Sequence, residues 1–529
     1  MLSEEEVHKK SPKVAFLELY DALERKLKRH APRDYITWMS KRLAESWLDD
    51  KKFIQTPPHR IIHSIEADCA YWKKGYREPV TWNAVAQIMN IYHDFVDTYQ
   101  LNTISESLGR FFLLMFREQI LLQQRASLAH LLRSWVLFAR DDSMTESRRE
   151  FSSHYRIGMD QWIKVCFFCW AISSQESGGS FLVKVLENPR IKISQETLEN
   201  FLRHSARSPE EIGHYFLDMR KNEPYEFHSL IRSCFFETPI VKFSDGSIIV
   251  PHTHLLFLHA GEGLYRLAQT LDVFAAEFSD SLEKYIRRVL DSLKEVTKIV
   301  DSKMMESTAT GKSCDFLVET ADTVILVECK ACSFTANRLT DSAIENNNST
   351  GKVAKGLVQL YTSAKDLENG RLDKFGINRN KTTIGIVITF GEIPSANSEW
   401  YFEQFFLKRA DKKLNEVIYP SKQMRRRPIV IDVSGFEKLV VTLNSDKRTL
   451  QDLYDKKQAE GYHRTGEWGI WLSSQRESGR WQLFQFLQDA QSEFLNELGI
   501  PTESSNGEDD IESRIHIAKV ARVPGDSPT

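Results

Sequence analysis

Residues 314–331 read CDFLVETADTVILVECKA, running from Cys314 to Ala331. Two β-rich runs, 314–319 and 324–331, flank a polar break at Thr320, Ala321, Asp322 and Thr323, the signature of a β-hairpin. A loop of Ala321-Asp322 and a loop of all four residues give the same register: Glu319 faces Val324, and Asp315 lies directly across from Glu328. Opposed side chains sit roughly 5 Å apart at Cβ, where like charges destabilise a sheet. Side chains alternate along a strand, so Lys330 shares the face of Asp315 and Glu328, while Ile325, Val327 and Cys329 point into apolar packing. Two carboxylates and an ammonium thus converge on one spot. In a solvated hairpin they would be ordinary surface charges; in a buried one the two acids call for a cation between them.

The flanks favour the second reading. Upstream, 278–293 carries Phe278, Leu282, Ile286, Val289, Leu290 and Leu293 at helical spacing and should pack on a sheet. Next, 296–300 reads as a first strand, followed by a polar loop over 302–313. Downstream, 351–367 has Val353, Leu357, Val358, Leu360 and Tyr361 at helical spacing, with Lys355 and Gln359 one turn apart. The runs TIGIVITF (383–390) and PIVIDV (428–433) are β-branched and suit buried strands. The expected core order is strand, hairpin, helix, strand, helix, strand.

An aspartate followed about a dozen residues later by Glu-x-Lys at the end of an apolar strand resembles the PD-(D/E)xK nuclease superfamily. Here the motif is Asp315 followed by Glu328-Cys329-Lys330, with Cys314 where many members have proline. The resemblance implies a restriction-endonuclease-like α/β/α core with a mixed central sheet. It implies magnesium, with manganese as a substitute, held by Asp315, Glu328 and the main-chain carbonyl of Cys329. Lys330 would orient the attacking water, because a lysine beside two acids does not lose its proton readily. Leu-Glu-Lys-Tyr in the upstream helix resembles the first helix of such nucleases and makes Glu283 the candidate third acid, with Glu277 its rival. Gln359, or Lys355, would support the site. Phosphodiester hydrolysis needs an activated water and a counter-charge for the phosphate, and a hard cation on carboxylate oxygens supplies both.

The whole chain reads as an α+β multidomain protein: a large all-α N-terminal region, the nuclease-like core, and a helical C-terminal region. Its expected divisions are 1–235, a hairpin and connecting segment at 236–274, the core at 275–445, helices at 446–500 and a disordered tail at 501–529. The N-terminal region would serve recognition, control, partner binding or self-association. PIVKFSDGSIIVP (239–251) reads as a hairpin turning at Asp245-Gly246, either extending the core sheet or joining the domains. Trp468, Trp471, Trp481, Phe484, Phe486 and Phe494 suit a packing face better than base stacking.

With 41% hydrophobic and 27% charged residues over 529, the composition is that of an ordinary globular chain. The net charge of −3 excludes a globally basic nucleic-acid binder. Phosphate contact would therefore fall to a local run: Lys412, Lys413, Lys422, Arg425, Arg426 and Arg427. Seven cysteines, an odd number in mostly apolar settings, together with an N-terminus lacking an apolar signal core, point to the cytoplasm. No stretch is apolar enough to span a membrane. Cys166-x-x-Cys169 reads as a buried core pair. The expected activity is DNA endonuclease, duplex DNA being the favoured partner, in restriction or anti-phage defence by analogy. The alternatives are a nuclease for RNA or branched DNA and a non-catalytic scaffold on the same fold.

Overall fold

The computed structural model describes residues 12–46, 58–73, 77–103, 128–175, 181–182, 193–222, 233–307, 309, 311–334, 341–410, 426–445, 448–460, 466–475 and 483–500. The chain is α+β with two mixed sheets and forms two compact units: 1–140, 145–271 and 489–529 make one, and 141–144 with 272–488 make the other.

The first unit is mainly helical. The helices Pro12–Leu27, Pro32–Ser46, Pro58–Tyr71 and Trp82–Thr103 bury Leu23, Ile36, Ile61, Ile65 and Ile88 in a shared core. The all-α expectation for 1–235 is corrected by two short strands, β1 (Phe181–Leu182) and β2 (Ala206–Arg207). They flank the hairpin of β3 (Ile240–Lys242) and β4 (Ser247–Ile249) in the order β1-β4-β3-β2. Two-residue strands are too short to show a period of two, so sequence patterning passes over them. The hairpin turns at Asp245-Gly246 as expected; Gly246 has φ +82°, where a side chain would be strained. It belongs to this small sheet and does not extend the larger one. Cys166 and Cys169 are buried in the Met159–Gln175 helix, and burial raises both thiols.

The second unit is built on five strands: β5 (Lys298–Asp301), β6 (Phe316–Glu319), β7 (Thr323–Lys330), β8 (Thr382–Thr389) and β9 (Ile429–Asp432). Their order is β5-β6-β7-β8-β9; β5-β6 and β6-β7 are antiparallel, β7-β8 and β8-β9 parallel. A parallel neighbour needs a crossover, and the Asn348–Glu368 helix supplies it between β7 and β8, packing on both. The Phe274–Asp291 helix packs on β7 and on the Val433–Ser445 helix, where Tyr285 donates a 2.5 Å hydrogen bond to Glu437. It begins upstream of the expected 278, and the added turn lets Phe274 stack on Phe278 at 5.1 Å. Between β8 and β9 the expected helix is a succession of short turns, Glu399–Tyr401, a π-helical Phe402–Phe406 and Leu407–Arg409.

β7 sits at the centre of the sheet and is buried along almost its whole length. Val324, Ile325, Leu326 and Val327 are each worth about 1.5–3 kcal/mol when removed from water, so the strand's position is fixed by packing on both faces. Glu328 is therefore carried into the interior by its neighbours. Trp468 and Trp471 are buried on the short Trp468–Ser474 helix, as a packing role requires, and so are Phe484 and Phe494. Trp481 and the tail from 501 lie outside the described residues.

Candidate active site

The hairpin register pairs Glu319 with Val324 and Phe316 with Val327, so the next pair outward is Asp315 and Glu328. The Cys329 N–H donates to Asp315 Oδ2 at 2.7 Å, tying the acid to the opposing strand. Lys330 reaches back over the same face: its Nζ forms an ion pair with Glu328 Oε1 and donates to Gln359 Oε1 at 2.8 Å. Gln359 in turn donates from Nε2 to the Ser313 carbonyl at 3.1 Å, and Ser363, one helical turn on, accepts the Cys314 N–H at 2.8 Å. The Asn348–Glu368 helix thereby fixes both the lysine and the chain leading into Asp315.

This close approach depends on a glycine. A Cβ at Gly356 would lie 3.0 Å from Lys330 Cε and 3.2 Å from Glu328 Cγ, so the helix backbone roofs the two side chains directly. Gly356 escaped the sequence reading, where it is one small residue in a helical run. Lys312 escaped too: it is exposed at the entry to the hairpin, and its charge acts on Asp315, Glu328 and Glu283. Lys355, the alternative to Gln359, is exposed.

Electrostatically the site is held out of balance. Burial, then the neighbouring Asp315 charge, pushes the Glu328 carboxyl up to about 8, against the pull of Lys330. Burial raises Asp315 as well, opposed first by the Cys329 N–H and then by Lys330. Glu283 on the Phe274–Asp291 helix is half-buried and is pushed up to about 7 by burial and then by Asp315. The Asp315 charge thus acts on Glu283, the candidate third acid; its rival Glu277 is part-buried on the same helix.

The residues present fit a small hard cation. Glu328 is 1% exposed, and its Oε2 has no hydrogen-bond partner among the described residues. An orphaned buried acceptor costs about 1–3 kcal/mol, more when charged, and a cation would satisfy it. No group of three or more His, Cys, Asp or Glu side chains able to hold a metal occurs among the described residues. Two carboxylates suffice for magnesium, which keeps several of its own waters.

The basic run is only partly described. Arg426 donates to both carboxylate oxygens of Asp455 at 2.9 Å, and Arg427 lies 3.7 Å from Glu399 and over the ring of Phe402. Lys412, Lys413, Lys422 and Arg425 lie outside the described residues.

No family model, no curated protein and no solved structure matches the chain. No helix among the described residues is long and apolar enough to cross a membrane.

Proposed function

We propose that the second unit is a restriction-endonuclease-like domain of PD-(D/E)xK type that hydrolyses phosphodiester bonds, with duplex DNA as the favoured substrate. The observation that carries the reading is the buried meeting of Asp315, Glu328 and Lys330, with one Glu328 oxygen lacking a partner among the described residues. The element order, a helix, a strand, the hairpin, a crossover helix and two parallel strands, is consistent with it.

Asp315 and Glu328, with the Cys329 carbonyl, would hold magnesium or manganese. When bound, the ion would polarise the scissile phosphate and make a water nucleophilic near neutral pH. Lys330, steadied by Gln359, orients that water. Gln359 also keeps Ser313 and Asp315 at a fixed distance from the lysine. Glu283 would be the third acid, reaching toward the metal, and Lys412, Lys413, Lys422 and Arg425 would follow the substrate backbone. The same chemistry would serve RNA or branched DNA. A role in restriction or anti-phage defence rests on analogy.

One observation favours a non-catalytic scaffold instead: Lys330 already neutralises one oxygen of Glu328. The purified chain, incubated with supercoiled plasmid, linear duplex, single-stranded DNA and RNA in magnesium, manganese or chelator, separates the two. Metal-dependent cutting supports the nuclease and names its substrate. Silence on every substrate, with no heat of magnesium binding by calorimetry, supports the scaffold.

A further inference from the structure

A second chemically distinct place lies wholly within the first unit. A cavity of about 580 Å³ opens where the end of the Gln195–Ser205 helix, β2, the start of the Pro209–Asn222 helix and the His259–Gly263 π-helix meet. Its volume falls in the range of about 300–1,000 Å³ usual for small-molecule sites.

Three guanidinium groups line it: Arg203, Arg207 and Arg266. The two acids that share the wall are already engaged. Glu211 accepts the Ser208 N–H at 2.7 Å, capping its helix, and Glu237 pairs with Arg266 at 3.3 Å. Arg203 is held by Asn200 at 2.9 Å, and Arg207 stacks over Tyr215 at 5.0 Å; among the described residues neither has an ion pair with an acid. Each guanidinium thus has one contact that places it and further donors to give, an arrangement that suits a phosphate.

The third wall is His259, 2% exposed and wedged against Trp162 at 4.9 Å. Its Nε2 shares a 2.7 Å hydrogen bond with Ser205, while Nδ1 has no partner among the described residues. A Cβ at Gly263 would collide with that Nδ1, so the ring keeps its place only because residue 263 is glycine. π-Helical turns are rare and gather at functional sites. His259, on that turn, and Arg266, on the helix that continues it, both line the cavity.

We propose that this cavity binds a phosphate-bearing small molecule of nucleotide size, with Arg203 and Arg207 on the phosphate and the His259 wall against the organic body. An inorganic anion alone would leave most of the volume empty.

The test uses the full chain in a metal-free, chelator-containing buffer, so that the Asp315 and Glu328 site takes no part. Calorimetry is run with inorganic phosphate, pyrophosphate, ribonucleoside mono- and diphosphates, and the unphosphorylated nucleosides. The expected result is saturable binding of at least one nucleotide, tighter than phosphate, no binding of its nucleoside, and a loss of tenfold or more in Arg203→Gln and Arg207→Gln. Arg207→Lys, which keeps the charge and loses the fork, should be weakened as well, and the Asp245→Asn variant, at the β3–β4 turn and not part of the cavity lining, should bind normally. Absence of saturable binding by every nucleotide, or equal affinity in the wild type and both arginine variants, overturns the proposal.

Discussion

Gln359 joins Lys330 to the chain that carries Asp315: it accepts from the lysine at 2.8 Å with one end of its amide and donates to the Ser313 carbonyl at 3.1 Å with the other. It fixes the lysine relative to the acid without touching either carboxylate. Gln359→Met keeps the volume and removes both bonds. Cleavage should fall about 10–100-fold, the range for a lost supporting contact, while stability drops by about 1 kcal/mol per bond lost. Single-turnover rates beside urea unfolding give the two numbers, and a rate matching wild type would remove Gln359 from the site.

Gly356→Ala probes the roof of the site. The added methyl meets Lys330 Cε and Glu328 Cγ, but the mid-helix glycine costs about 1 kcal/mol against alanine, so the two effects nearly cancel in stability. Activity should suffer alone, because the lysine tip is what yields. A thermal midpoint within a few degrees of wild type, with cleavage down tenfold or more, is the expected pair of results.

The basic run should divide in two. Arg426 and Arg427 are engaged by Asp455 and Glu399, so replacing them with glutamine should leave the salt dependence of nucleic-acid binding almost unchanged. Replacing Lys412, Lys413, Lys422 and Arg425 should flatten it and weaken all sequences alike. Binding measured across a salt series decides, and the reverse pattern would place the contact elsewhere.

In the first unit, burial holds His259 neutral, lowering it to about 3 from an ordinary 6.5. Below 6.5 the unfolded chain takes up a proton that the folded chain refuses, so this histidine's contribution to stability is lost as pH falls through that window and levels off near 3. Relative to His259→Gln, the wild type should lose about 1.4 kcal/mol per pH unit within it. Urea unfolding of both at several pH values checks the sign, and parallel curves would contradict it.

Much of the second unit was legible because local signals agreed. The alternation over 314–331 and the polar break fixed the register that sets Asp315 opposite Glu328, and β-branched runs marked β8 and β9. What stayed hidden depends on contacts distant in sequence. Gly356 matters only because its helix crosses over Glu328, and Lys312 only because the loop returns it to the acids. In the first unit, β1 and β2 are too short to show a period, and the turn at His259, HAGEG, has no large apolar residue to mark its widening. The close approach of the His259 ring to Gly263, one turn on, shows only in the folded geometry.

The most direct measurement is the cleavage rate of wild type and Glu328→Gln, side by side in magnesium, on the nucleic acid that the wild type cuts. The substitution keeps the shape of the side chain and removes the charge that would hold the cation. Loss of cleavage by about a thousandfold or more, the scale of a removed catalytic group, in a variant that unfolds no earlier than wild type is the predicted result. Equal rates would contradict the assignment of Asp315, Glu328 and Lys330 as the catalytic centre.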